Sequence, residues 1–203
     1  MRGKTVLVLL LLAASIEPCG AAASATDTIR GFYEVLLGVM ENAERLGPRG
    51  RYDRLAPIVG QTFDMPYMTR LAVGTAWRNI PEVKQAELTR AFQRQITATY
   101  ADRFDRYSGQ KLQVTGEQPR ASGAIVDSRI VKSDGTAVAI RYLMRPEAGD
   151  WRIADIYLLG TVSELATRRS EFSSILERDG VDGLIAALNH KADMLIQSRE
   201  GSR

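Results

Sequence analysis

Along residues 28–46 the apolar positions Ile29, Phe32, Tyr33, Leu36, Leu37, Met40 and Ala43 recur at steps of three and four, the spacing of one helix face. Gly47-Pro48 closes that helix. A second, shorter helix is predicted over residues 52–63 from Leu55, Ile58, Val59 and Phe63, with Pro57 inside it as a break near its start. Asp64-Met65-Pro66 turns a corner into residues 67–77, a run dense in Tyr, Met, Leu and Trp. Pro81 suits the first turn of a helix, where its missing donor costs nothing, and Glu82 and Glu87 near that end complement the helix dipole. The longest helix follows, to about Tyr107, on the spine Leu88, Phe92, Ile96, Tyr100 and Phe104.

After Ser108-Gly109 the period shortens to two, and strands are predicted over residues 111–116, 124–132, 136–145 and 150–158. Asp134-Gly135 signals a hairpin turn and residues 146–149 supply the next loop, so successive strands pair as an antiparallel meander. Val138, Ile140, Tyr142 and Met144 share one face of the third strand; Trp151, Ile153, Asp155 and Tyr157 share one face of the fourth. On the other face of the third strand, Ala137, Ala139 and Leu143 alternate with Arg141 and Arg145, so part of that face is expected to be covered. Thr161-Val162-Ser163-Glu164 fits a capping box. The helix behind it carries Leu165, Phe172, Ile175 and Leu176 and stops at Asp179-Gly180, before a last helix on Val181, Leu184, Ile185, Leu188, Ala192 and Leu195. No internal repeat is visible. The pattern is that of a single domain with helices before and after a four-stranded antiparallel meander.

The first 25 residues change the picture of where this domain works. Arg2 and Lys4 precede an apolar run of about nine residues, too short to span a bilayer, and small residues lead to Ala23 and Ala25, a small-x-small site. This is the pattern of a cleavable secretory signal, with cleavage expected after Ala25 and Ala23 as the alternative, leaving residues 26–203 as the exported mature domain. Ile16-Glu17-Pro18 before Cys19 is unlike a lipidation site. Loss of the leader also removes the chain's one cysteine. Arginine outnumbers lysine 22 to 5, which either follows the source genome or serves contacts to anionic groups through planar guanidinium forks.

Composition then narrows the chemistry. One histidine, His190, and one cysteine leave no zinc set, no redox pair and little scope for histidine-based catalysis. The G-x-S-x-G elbow and glycine-rich phosphate loops are missing, no cofactor is called for, and a formal charge of +3 does not suggest nucleic acid. One candidate for catalysis remains: Asp155, on a face with Trp151, Ile153 and Tyr157, where apolar surroundings would favour its neutral form and suit a general acid or base. The competing role for Asp155 is structural, paired with an arginine such as Arg141 or Arg129 or accepting a hydrogen bond that ties strand to helix. Met65, Tyr67, Met68, Leu71 and Trp77 form a flexible apolar stretch suited either to core packing or to an adaptable pocket.

Residues 151–188, WRIADIYLLGTVSELATRRSEFSSILERDGVDGLIAAL, resemble the C-terminal region of the MlaC-type periplasmic lipid-binding proteins, also called toluene-tolerance proteins. The matching positions are Trp151, Asp155, Gly160, Ser163, Glu171-Phe172, Gly180, Asp182, Gly183, Leu184 and Leu188. Gly74-x-x-Trp77 and the Pro81 helix with Phe92 and Tyr100 extend the likeness over nearly all of the mature chain, while ELATRRSEF and Tyr107-Ser108-Gly109 look more like the hopanoid-associated HpnM subgroup. The resemblance implies an α+β fold in which the N- and C-terminal helices cover a curved, four-stranded antiparallel meander related to the NTF2-like cone, with lipid tails between sheet and helices. It also implies traffic of a phospholipid or hopanoid between an inner-membrane MCE-type or other lipid-export complex and an outer-membrane acceptor, with no catalytic residues. Tyr67, Met68, Leu71, Tyr100, Tyr142 and Tyr157 are expected to line or border the cavity. Three readings stand together: a lipid carrier, a cone-shaped enzyme using Asp155, and an accessory protein whose cavity is filled by its own side chains.

Overall fold

The computed structural model describes residues 23–197; residues 1–22, which hold nearly all of the expected export signal, lie outside that range. Helix α1 is Ala25–Glu41. Its start is a complete capping box: Ser24 Oγ accepts from the Asp27 N–H at 3.0 Å and the Asp27 carboxylate accepts from the Ser24 N–H at 3.2 Å. The helix ends five residues earlier than Gly47-Pro48 suggested, and Gly47, with φ +64°, instead breaks α2, Ala43–Thr62. Pro48 follows that break and Pro57 is absorbed inside the helix, so α2 begins well before Tyr52. Helix α3, Met65–Val73, has Asp64 as N-cap, its Oδ1 accepting from the Tyr67 N–H at 3.1 Å, and Pro66 in its first turn. A 3₁₀ turn, Gly74–Asn79, leads to α4, Glu82–Arg103, which stops one turn short of Tyr107.

The sheet is an antiparallel meander in the order β1-β2-β3-β4-β5: Lys111–Arg120, Gly123–Val131, Ala137–Glu147, Asp150–Leu158 and Val162–Ser163. The expected four strands are therefore five. Residues 161–164 do not form the Thr161/Glu164 capping box: Val162 and Ser163 pair with Leu158 and Tyr157, and Ser163 Oγ accepts from the Ala166 N–H at 3.0 Å to start α5, Glu164–Gln197. Gly180, with φ +67°, kinks α5 where Asp179-Gly180 was read as a stop. Between β2 and β3, Asp134 Oδ1 accepts from the Thr136 N–H and hydroxyl, and Gly135 takes φ +83°.

The helices cover one face of the sheet. α1 lies against β1, β2 and β4, α4 packs between α2 and α5, and the corner before α3 docks on β4 through the Asp64 N–H to Ile153 C=O bond of 2.9 Å. Phe32, Phe63 and Tyr100 meet edge to face at 5.4–5.8 Å where α1, the α2–α3 corner and α4 converge. Phe92 and Phe172 do the same at 5.1 Å between α4 and α5. On the other face of β3, Ala137, Ala139 and Arg141 are exposed and Leu143 and Arg145 are half-buried.

One irregularity in β4 decides which side chains face the helices. Met144 pairs with Ile153 but Leu143 pairs with Asp155, so Ala154 is a bulge. The bulge reverses the parity of the strand, and Ile153, Ile156 and Leu158 share the covered side while Asp155 and Tyr157 turn to the other. The face expected from strict alternation, Trp151-Ile153-Asp155-Tyr157, is thereby split. Asp155 is buried all the same, because Oδ1 accepts from the Ile156 and Leu165 N–H groups at 2.7 and 3.2 Å and Oδ2 from the Ser163 hydroxyl at 2.6 Å. Neither Arg141 nor Arg129 is its partner: Arg141 pairs with Asp127 and Arg129 bonds Gln113.

Asp155→Asn keeps the volume but puts an amide donor among three donors, and is expected to lower stability by about 1–3 kcal/mol in urea unfolding. Gly123→Ala is expected to cost about as much, because a Cβ there would lie 2.1 Å from the Met144 carbonyl oxygen across the β2–β3 ladder.

Candidate functional site

Between the sheet and the helices lies a cavity of about 210 Å³. Its floor is the covered face of the meander, Ile130 from β2, Val138, Ile140 and Tyr142 from β3, and Ile156 and Leu158 from β4. Period two on β3 and the bulge on β4 bring these side chains to one side. Its roof is the spine of α4, where Phe92, Ile96, Tyr100 and Phe104 recur every four residues, with Tyr33 and Leu36 from α1, Met68 from α3 and Leu165 from α5. Half-buried Ile130, Val138 and Leu158 lie at one end with exposed Arg103 and half-buried Phe104, Glu164 and Arg168, so the mouth opens where α4 ends and α5 begins. Arg168 also pairs with Glu171 at 2.9 Å. The wall is apolar and the rim is charged.

Of the residues expected at the cavity, Met68, Tyr100 and Tyr142 line it. Tyr67, Leu71 and Tyr157 do not. On α3 the buried side is Met65, Met68, Thr69 and Ala72, and Tyr67 and Leu71, one turn apart, fall on the opposite side. Leu71 is 40% exposed, and the Tyr67 ring lies under the Arg145 guanidinium at 4.4 Å, next to the Arg145–Asp64 ion pair. Tyr157 is carried outward by the β4 bulge, and burial, with the neighbouring Asp155 carboxylate adding to it, raises its phenol above the usual range. Asp155 itself ties β4 to the start of α5 and does not line the cavity.

Sequence reasoning passed over Tyr33. On α1 it looks like one more core position, yet its hydroxyl lies 2.8 Å from Ser128 Oγ and donates to Tyr142 Oη at 3.2 Å. Ser128 Oγ donates to the Ile140 carbonyl at 2.9 Å. Burial raises the pKa of Tyr33, Tyr100 and Tyr142 above that of a free phenol, so all three stay neutral at physiological pH. Tyr33 also borders a second cleft of about 200 Å³ between α1 and β1, lined by Arg30, Glu34, Leu37, Leu112 and Val114.

Among the described residues no three His, Cys, Asp or Glu side chains converge on a point that would hold a metal, and no helix is long and apolar enough to cross a membrane. What the geometry offers is a largely apolar compartment with a charged entrance, suited to an apolar chain whose polar end stays at the rim.

Comparison with known proteins agrees with this architecture. The intermembrane phospholipid transport system binding protein MlaC of Haemophilus influenzae is 23% identical over 138 residues, 66% of this chain and 64% of that protein, so the match spans just under two thirds of the relative's length. A phospholipid-binding protein from Ralstonia solanacearum, solved in complex with a phospholipid, superposes with a TM-score of 0.74 at 20% identity, covering 85% of this chain and 99% of that one. The family model for MlaC protein matches residues 33–190, from the cavity tyrosine of α1 to the last helix, and the chain belongs to the MlaC family.

Proposed function

We propose that this protein is a periplasmic lipid carrier, which encloses the hydrocarbon part of a membrane lipid and moves it between the inner and outer membranes without catalysis. The observation that carries this reading is the open, apolar-walled cavity with Arg103, Glu164 and Arg168 at its mouth. Exposing each methylene costs about 0.8 kcal/mol, so a tail of about sixteen carbons left in water would cost on the order of 12 kcal/mol. A carrier must therefore cover the tail, whereas the head group can remain at the rim, where guanidinium groups meet phosphate or carboxylate. The names of the Haemophilus and Ralstonia proteins support a phospholipid as cargo. The ELATRRSEF segment, residues 164–172, supports a hopanoid. The donor and acceptor would be an inner-membrane MCE-type or other lipid-export complex and an outer-membrane acceptor.

Two competing readings are weakened by particular observations. An enzyme built on Asp155 needs that carboxylate in the cavity, but it lies on the other side of β4 with both oxygens engaged. An accessory protein with a self-filled interior is disfavoured by the space between Tyr100, Tyr142 and Ile156.

Native mass spectrometry and lipid extraction of protein purified from its own periplasm are expected to reveal a co-purifying membrane lipid. Ile140→Trp, which fills the floor, should lose most of that lipid while the fold persists at a cost of about 1–3 kcal/mol, and Leu71→Ser on the outer side of α3 should retain it. Wild-type protein that carries no lipid and takes up none from labelled vesicles would reject the carrier reading.

Export implies a processed N-terminus, and the capping box favours the alternative of the two cleavage sites. Cleavage after Ala23 leaves Ser24 to cap α1 and keeps Ala25 in the core, whereas cleavage after Ala25 removes both. Intact mass of the periplasmic form is expected to correspond to a chain beginning at Ser24; one beginning at Thr26 would overturn that assignment.

A further inference from the structure

Helix α1 lies along the covered face of the sheet with a compartment on each side of it. Leu36 borders the cavity already described, while Leu37, with Glu34 and Arg30 one and two turns back, borders the second cleft of about 200 Å³ over β1. Tyr33 lines both compartments and stands between them, its hydroxyl 2.8 Å from Ser128 Oγ and donating to Tyr142 Oη at 3.2 Å. The two floors are one continuous surface, because Leu112 and Val114 of β1 pair with Ile130 and Ser128 of β2 and extend the covered face outward. Ile130 lies at the mouth, so the cleft begins at Leu112 beside the entrance of the cavity. From there it runs back past Val114 towards Thr26, whose N–H and hydroxyl donate to Glu117 at 3.0 and 2.6 Å and pin α1 to β1. Leu37, Leu112 and Val114 are half-buried, whereas Arg30 and Glu34 are exposed and Arg30 is paired with Asp27 at 3.1 Å.

We propose that the cleft between α1 and β1 is the compartment for a second hydrocarbon chain, so that a two-chain lipid straddles Tyr33 with one chain in the roofed cavity and the other in the cleft. The inference rests on the carrier reading and adds where the second chain goes. Size argues for it: the cavity, at about 210 Å³, lies below the roughly 300–1,000 Å³ usual for a small-molecule site, whereas the two compartments together reach that range. A second chain kept out of the cavity and given no cleft would lie in water, and each methylene left there weakens binding about fourfold. The entrances also match one head group. Ile130 and Leu112 are partners on adjacent strands, about 5 Å apart, so two chains joined at the mouth can enter the two compartments side by side. The hydroxyl contacts of Tyr33 then anchor its ring between them.

Residues 24–203 contain no cysteine, so Leu112→Cys and Val138→Cys each give the mature protein a single thiol, the first on the floor of the cleft and the second on the floor of the cavity. Each variant, delipidated, is loaded from vesicles of dihexadecanoyl phosphatidylglycerol or from micelles of its one-chain lyso form. Loading is checked by native mass spectrometry, and the rate of maleimide modification is measured. The Val138→Cys thiol is expected to be slowed severalfold by both lipids and the Leu112→Cys thiol by the two-chain lipid alone, because a single chain takes the more enclosed compartment. Val114→Trp, which fills the cleft, should weaken binding of the two-chain lipid about tenfold or more, the loss of about two buried methylenes, and leave the one-chain lipid unaffected. Protection of the Leu112→Cys thiol by neither lipid or by both, or a Val114→Trp variant that treats the two lipids alike, would overturn the inference and leave the carrier reading standing. Failure of either lipid to bind or to protect the Val138→Cys thiol would instead refute the carrier reading, and this inference with it.

Discussion

The three hydrogen bonds accepted by Asp155 hold together the two features on which the cavity depends. One bond closes onto the backbone of β4 just past the Ala154 bulge, and the others hold Ser163 and the first turn of α5. The bulge turns Ile156 and Leu158 inward to continue the floor begun by Ile140 and Tyr142. The anchored start of α5 puts Glu164, Leu165 and Arg168 at the mouth. A carboxylate that on sequence grounds suited acid–base chemistry thus serves architecture, as its burial against backbone donors requires.

The cavity survives because its walls are braced elsewhere. Tight aromatic clusters, Phe32 with Phe63 and Tyr100 on one side and Phe92 with Phe172 on another, fix α1, α4 and α5 relative to one another without filling the space between α4 and the sheet. Tyr100 belongs to both a packed cluster and the open wall. The sheet contributes branched side chains at the floor, and behind the charged rim the polar groups of the lining are the hydroxyls of Tyr33, Thr99, Tyr100 and Tyr142. Such an interior is apolar enough to hold hydrocarbon, and charge is left to the rim.

Much of this was legible in the chain. The α4 spine Phe92, Ile96, Tyr100 and Phe104, read from helical spacing, lines the cavity, and so does the β3 face Val138, Ile140 and Tyr142 read from period two. The Asp134-Gly135 turn and the Gly180 break were also visible, because each depends on a few neighbouring residues. The failures are equally local in origin. Tyr67 and Leu71 were grouped with Met68 by composition, although a helix turns about 100° per residue and separates them. Tyr157 was placed by strict alternation, which a bulge defeats; the step of three from Ile153 to Ile156 was the trace of it in the sequence.

The amino-acid sequence by itself determined the element types, the order of helices and meander, and the family, since periodicity, turn chemistry and motif are properties of short stretches. Only the tertiary structure decided which faces meet. Tyr33 reaches Ser128 and Tyr142 across separations of 95 and 109 residues, and Asp64 finds Arg145 81 residues away. Such partners are set by the docking of whole elements, whose geometry depends on the bulge, the kinks and the packing of all layers at once. A cavity, being space that none of those elements fills, is written in no single stretch of the chain.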